Sequence, residues 1–263
     1  MQDLYVIKIG GNIIDDDEKL SAFLQQFAAL SGNKVLVHGG GKLATKMAGQ
    51  LGIEQQMVDG RRITDAETLK IVTMVYAGYI NKNIVAQLQS KGCNAIGLTG
   101  ADANLIPAKK RTHASIDFGF VGDVESLQPA VEHWKLLLQN GLVPVVAPIT
   151  HNGEGQLLNT NADTIAQEIA KALGKLYKVR LVYSFEKPGV LLDVQDEASV
   201  IGRLNPSYYS ELKQKGLIFA GMIPKLDNAF AALDNGVQTV IIGRAEELPG
   251  LIAGNAGTTI THD

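Results

Sequence analysis

Short, nearly continuous apolar runs alternate along this chain with longer segments whose apolar residues recur every three or four positions. LYVIKI at 4–9, KVLVH at 34–38, LVPVVAPI at 142–149, KVRLVYSF at 178–185 and VQTVIIG at 237–243 are runs of the first kind. Without polar alternation, such runs suit strands covered on both faces, as in a parallel sheet. Between them, Leu20, Phe23, Leu24, Phe27 and Leu30 keep helical spacing, and Gly32-Asn33 supplies a stop. A second helix follows KVLVH directly, over GGGKLATKMAGQLG. The third and longest is predicted to open at Thr64, which has the T-x-x-E spacing of a capping box with Glu67, and to run to about Ser90 through Leu69, Val72, Val75 and Tyr76.

Further on, NAIGLTG reads as a strand, and the polar stretch from Asp102 to Gly122 as a hairpin or flap. Helices are predicted over AVEHWKLLLQNG, over NADTIAQEIAKALG, over SYYSELKQKG behind the cap Asn205-Pro206, and around LDNAFAALDNG. GTTIT at 257–261 closes the pattern as an edge strand. Alternating strands and helices predict an α/β fold, a three-layer α/β/α sandwich around a central, mainly parallel sheet. No repeat array, low-complexity tract or linker interrupts it. Two lobes, 1–173 and 174–263, would therefore share one sheet or a close interface.

Composition narrows the function. The chain has 263 residues, enough for a large core, and a net charge of -3. Such a balance lacks the basic field that nucleic acid or an anionic membrane requires, so a small molecule is the expected partner. Cys93 is the only cysteine, which excludes an intrachain disulfide and predicts a cytoplasmic protein. Neither a signal-peptide pattern nor a run of membrane-spanning length is present.

Candidate chemistry gathers where strands give way to glycine. In KIGGN at 8–12 a strand delivers Lys8 and then Gly10 and Gly11, residues that contribute nothing to a strand interior. HGGGK at 38–42 follows a strand and opens a helix, so its amides and the helix dipole would face an anion. Leu43 stands where a Walker loop needs Ser or Thr, and the dinucleotide fingerprint fits only loosely, because no acid-ended second strand follows. Simpler readings exist for each cluster. Lys8 could snorkel to water from a strand end. NTNAD at 159–163 could be a helix cap, with Asn159 or Asn161 capping and Asp163 in the first turn. GMIPK at 221–225 could start a helix at Pro224 and leave Lys225 solvated, and GRRIT at 60–64 could hold a surface charge pair. Two anion-facing glycine turns at one sheet edge, with a lysine between them, form what a phosphoryl group in transfer needs: fixed N–H donors and ammonium charges around its equatorial oxygens.

Taken together, KIGG, VHGGG, DGRRIT, LTGADANLI, GFVGDV, GQLLNTNAD and GMIPK, in this order, resemble the amino acid kinase family and, within it, the N-acetyl-L-glutamate kinases. The resemblance spans essentially the whole chain. It implies ATP-dependent phosphorylation of the γ-carboxylate of an acyl glutamate in arginine biosynthesis, with Mg2+ bridging the β- and γ-phosphates. By matching position it implies that Lys8 and Lys225 flank the transferring group, that Asp163 holds both, and that Gly11 and Gly40 donate N–H bonds to it. Gly40, Gly41, Arg62 and Asn159 would bind the acyl substrate, Arg62 through a bidentate carboxylate contact. Gly10 and residues of the last third, Ser184, Gly189, Val190, Leu217, Ile218 and Phe219, would border the nucleotide; no residue is implied as a metal ligand. SFEKPG at 184–189 departs from the Ser/Thr-Asp pattern common in the family. The start directly at a strand, without a leading helix, implies by analogy a homodimer without arginine feedback. N-succinyl-L-glutamate is an alternative acceptor, for which Arg61, Lys70 or Lys82 could supply the added cation. A non-catalytic nucleotide sensor on the same fold is a third reading.

Overall fold

A computed structural model describes residues 1–263 except Asp59, Gly60 and Phe219, together with the side chain of Ala220. Eight strands form one sheet: β1 (Asp3–Ile9), β2 (Asn33–His38), β3 (Ala95–Leu98), β4 (Val143–Val146), β5 (Lys178–Phe185), β6 (Arg203–Leu204), β7 (Thr239–Arg244) and β8 (Thr258–Ile260). Their spatial order is β6-β8-β7-β5-β1-β2-β4-β3. The run from β7 to β3 is parallel throughout, so these strands all end at one edge. β8 runs antiparallel to β7, and β6 parallel to β8.

Helices cover both faces, and the two-residue period of β1 shows how the layers divide. Leu4 and Val6 join a core containing residues of α5 (Val131–Gln139), α6 (Ala162–Leu173), α7 (Pro206–Gln214) and α8 (Ile223–Asp234). Tyr5, Ile7 and Ile9 face the opposite core, made with α2 (Asp17–Ala29), α3 (Gly41–Gln50), α4 (residues 66–90) and α9 (Leu248–Ala253). One-turn helix α1 (Gly11–Ile14) links β1 to α2. The fold is thus the expected three-layer sandwich, and the 102–122 stretch forms most of a hairpin, Ala108–Lys110 paired antiparallel with Gly122–Val124, whose second strand runs two residues past the expected end.

Two expectations are corrected. GTTIT does not form the edge: β8 has β7 on one side and β6 on the other, with Thr258 and Ile260 fully buried. The edge is the two-residue β6, too short to leave a periodic signal. The long helix is capped by Asp65, whose side chain accepts from the Thr68 N–H at 2.7 Å, and not by Thr64. Thr64 is buried instead, its hydroxyl donating to the Arg62 carbonyl and its N–H to Phe118. Between Asn159 and Asn161, the cap of α6 is Asn161, which accepts from Asp163 and Thr164; Asn159 ends a short strand.

Candidate active site

Alternation along β1 puts Lys8 on the face of α6 and α8, at the carboxyl edge of the sheet, where its side chain is 11 % exposed. The ammonium lies 2.8 Å from Oδ1 of Asp163, an ion pair set off the line of a hydrogen bond. Asp163 is held there because Asn161 starts α6, accepting from the Asp163 N–H at 2.8 Å and the Thr164 N–H at 3.2 Å. Lys225 enters from the first turn of α8, just after Pro224. Its Nζ stands 4.1 Å from the centroid of the Phe185 ring, and that of Lys8 5.8 Å from the same centroid. The two amines, far apart in sequence, therefore converge with Asp163 in one place. Although Lys225 as a residue is exposed, partial burial of its ammonium lowers its proton affinity, opposed by the Asp163 carboxylate and reinforced by the Lys8 charge.

Both glycine turns lie at this edge and are tied together by the Gly39 N–H, which donates to the Ile9 carbonyl at 3.1 Å. Gly40 has φ +147°, and a Cβ there would stand 2.3 Å from Ile80 Cδ1 of α4, so any other residue would be strained and would have to displace Ile80. It precedes α3, whose first-turn amides have no partner within the helix and are open to an anion. His38, fully buried, fixes the turn from behind. Its Nδ1–H donates to the Gly39 carbonyl at 2.8 Å, and its Nε2 accepts from Asn81 Nδ2 at 3.2 Å. Burial pushes the imidazole pKa down to about 4, so the ring is neutral at neutral pH and serves as a structural end to its strand.

On the β2 side the edge opens into a cavity of about 200 Å³ that Gly40, Gly41, Arg62 and Asn159 line together. Arg62 is buried, donating through Nη2 to the Gly41 carbonyl and the Thr45 hydroxyl, both at 3.0 Å, and through Nη1 to Gln55. Asn159 is held by its N–H to the Phe120 carbonyl and by Nδ2 to the Thr64 hydroxyl at 3.0 Å. The cavity also contains residues that the sequence reading gave no role. Tyr76 comes from α4, and burial raises its pKa against the pull of Arg62. Arg111 and Asp123 form an ion pair across the hairpin. The register sets Lys109 opposite Asp123 and Arg111 opposite Val121, so Arg111 reaches Asp123 diagonally across the hairpin, a relation fixed by the pairing and not marked in the sequence. Arg61 and Asn161 line both this cavity and the smaller one beside Asp163 and Lys225, so the two are neighbours.

Known proteins resemble this chain in sequence and in fold. The model of the amino acid kinase family matches residues 3–244. This chain belongs to that family. Among relatives, the acetylglutamate kinase of Cytophaga hutchinsonii is 61% identical over 257 residues, 97% of this chain and 96% of that protein. That of Methanopyrus kandleri is 40% identical over 259 residues, 97% of this chain and 99% of its own. The N-acetylglutamate synthase structure from Neisseria gonorrhoeae, complexed with coenzyme A and N-acetyl-glutamate, superposes with TM-score 0.83 at 20% identity, covering 100% of this chain and 60% of that one. Giardia lamblia carbamate kinase bound to AMP-PNP gives 0.69 at 15% identity, covering 100% and 99%. Both likenesses concern the fold.

In this amino acid kinase the residues assigned to the nucleotide are less gathered than those assigned to the acyl substrate. Gly10 and Gly11 lie beside Lys8, at the cap and first residue of α1. Ser184, Gly189, Val190, Leu217 and Ile218 line neither cavity. Ser184 is buried with no partner for its hydroxyl among the described residues, and Val190 is buried with its N–H donated to Thr258 Oγ1 at 2.8 Å. Gly189 packs on the same hydroxyl: a Cβ there would stand 2.7 Å from it. Ile218 is buried and Leu217 exposed, while Phe219 lies outside the described residues.

Proposed function

We infer that this amino acid kinase transfers the γ-phosphoryl group of ATP to the γ-carboxylate of N-acetyl-L-glutamate, the acyl-phosphate-forming step of arginine biosynthesis. The observation that carries the reading is identity of 61% along nearly the whole chain to a protein named acetylglutamate kinase. The site supports it chemically. A carboxylate is already ionised at neutral pH, so an acceptor oxygen attacks phosphorus without a general base as the bond from phosphorus to the ADP oxygen breaks. Positioning and charge neutralisation are then sufficient. Lys8 and Lys225 would meet the equatorial oxygens, Asp163 would hold both amines, and the amides at Gly11 and Gly40 would complete the cradle. Arg62 would grip the acceptor's α-carboxylate, with Gly41 and Asn159 on its acyl arm.

In this reading residues 1–173 form the acyl-glutamate and dimerisation lobe and residues 174–263 the nucleotide lobe, with the nucleotide near 184–191 and 217–218. The described residues contain no cluster of three or more His, Cys, Asp or Glu side chains fit to hold a metal. In this reading magnesium would be carried by the nucleotide and would neutralise phosphate charge. A homodimer in the cytoplasm is the expected setting; no described helix is long and apolar enough to cross a membrane.

A second acceptor, N-succinyl-L-glutamate, is favoured by one observation. Of the three cations considered for an extra carboxylate, Arg61 lines the cavity, whereas Lys70 pairs with Glu67 and the Lys82 ammonium donates to the Gly97 carbonyl. ADP release measured with N-acetyl-, N-succinyl- and free glutamate separates these readings. Preference for the acetyl compound is expected. Preference for the succinyl compound would reassign the acyl group, and no turnover with any acceptor would favour a nucleotide sensor.

A further inference from the structure

Phe185 has no part in the roles assigned so far, yet both ammonium groups of the site lie over its ring. It ends β5, and because Lys8 is in register with Tyr183, side chains at 183 and 185 share the face that carries Lys8. The Phe185 ring stacks on that of Tyr183, with centroids 6.2 Å apart and planes inclined by 26°. Tyr183 is itself fixed, 7% exposed and donating its hydroxyl to the main-chain oxygen of Asp163 at 3.3 Å. The ring therefore rests on a floor anchored to the helical turn that presents Asp163.

The charges explain what such a ring can do. Two ammonium groups converge on one carboxylate, so the cluster carries an excess positive charge before any substrate arrives. An aromatic face holds negative potential without a net charge. A second carboxylate would also offset the amines, but it would repel an incoming phosphoryl group. The ring avoids that conflict. We propose that Phe185 is a positioning residue of this site: its ring face seats the Lys225 ammonium, with Lys8 at its margin, and keeps both charged groups in place until the phosphoryl group enters between them. The consequence for turnover rests on the phosphotransfer reading above; the seating does not.

The titratable and aromatic groups facing Lys225 are Asp163 from α6, Lys8 from β1, Tyr183 and Phe185 from β5, and Arg61, which lines the same cavity. Of these, Asp163 favours the charged amine and Lys8 opposes it, burial opposing it most, while an aromatic face such as that of Phe185 favours it. Phe185→Leu keeps an apolar side chain and removes the aromatic face, whereas Phe185→Tyr keeps the face. The test is the titration of Lys225, followed by NMR at its ε-carbon and assigned with Lys225→Arg, alongside kcat and KM from neutral to alkaline pH.

In Phe185→Leu the Lys225 titration moves to lower pH and the alkaline limb of kcat moves with it. Its kcat falls about three- to tenfold while the acceptor KM stays within about twofold. Phe185→Tyr restores both titration and kcat. An unchanged titration and kcat in Phe185→Leu, or a Tyr variant as impaired as the Leu variant, would overturn the proposal. Because the titration needs no turnover, a protein inactive on every acyl glutamate would remove the functional reading and leave the ring's role to be decided by Lys225 alone.

Discussion

At the scale of single residues, Lys8 shows why position outweighs residue type. The ammonium is 2.8 Å from the Asp163 carboxylate on a strand that otherwise feeds two cores, so the sheet sets where the residue lies and the ion pair sets where its tip points. Lys8→Ala should lower kcat by about 10² or more with little loss of stability, since it removes a charge needed in the transition state. Steady-state kinetics beside a denaturant titration checks this, and unchanged turnover would remove Lys8 from the site. His38 makes the contrasting case of a titratable residue that works by staying neutral. Its folded-state pKa of about 4 lies below the ordinary value of 6.5, so below pH 6.5 the unfolded chain binds the proton more readily. Stability is therefore expected to fall as pH drops from 6.5 towards 4, by about 3 kcal/mol from this group, and to be unaffected by it above pH 7. Urea titrations of wild type and His38→Gln across that range test it; an equal pH slope in both would exclude His38 as the cause.

Among the elements, the junction between the HGGGK turn and α4 is the most constrained. Residues 74–80 of α4 are wound as a π-helix, and this stretch supplies both Tyr76 of the cavity and Ile80, which packs against Gly40. Helical segments of this type often sit at functional sites. Here the close contact leaves no space for a side chain at 40. Gly40→Ala should therefore destabilise the protein by about 3 kcal/mol, combining a left-handed φ with overpacking, and should also raise the acceptor KM. Denaturant midpoints and kinetics measure the two effects, and a stable, fully active Ala variant would refute the crowding argument. A second junction is closed by Lys34, buried at the start of β2. Its ammonium donates to the carbonyls of Ala28 and Leu30 at 2.9 and 2.6 Å and so completes the end of α2.

For the whole molecule, the decisive contact is β1 against β5. It joins a strand of the first 173 residues to one of the last 90 in the middle of a single sheet, and the core on the α6 side draws residues from both parts. The proposed lobes share hydrogen bonds and side-chain packing. One cooperative unfolding transition is expected by calorimetry, with calorimetric and van't Hoff enthalpies in agreement; two resolved transitions would show that the lobes fold separately.

Much of this protein was determined by local pattern alone. Strand order along the chain, the helices after each glycine turn, the hairpin near 102–122 and the three-layer class follow from periodicity and stop signals that act over a few residues. The clusters around Lys8, Gly40, Arg62, Asp163 and Lys225 were likewise visible, because strand-glycine-helix junctions carry their own chemistry. Only the tertiary structure decided that Lys225 meets Lys8 over the ring of Phe185, that Arg61 faces both cavities while Lys70 and Lys82 face elsewhere, and that β8 is interior. It also decided that Asp65 and not Thr64 begins α4, since Thr64 is needed by Arg62 and Asn159. The physical reason is common to all of these. Each depends on which distant segment packs alongside, and a residue's own neighbours in the chain hold no record of that.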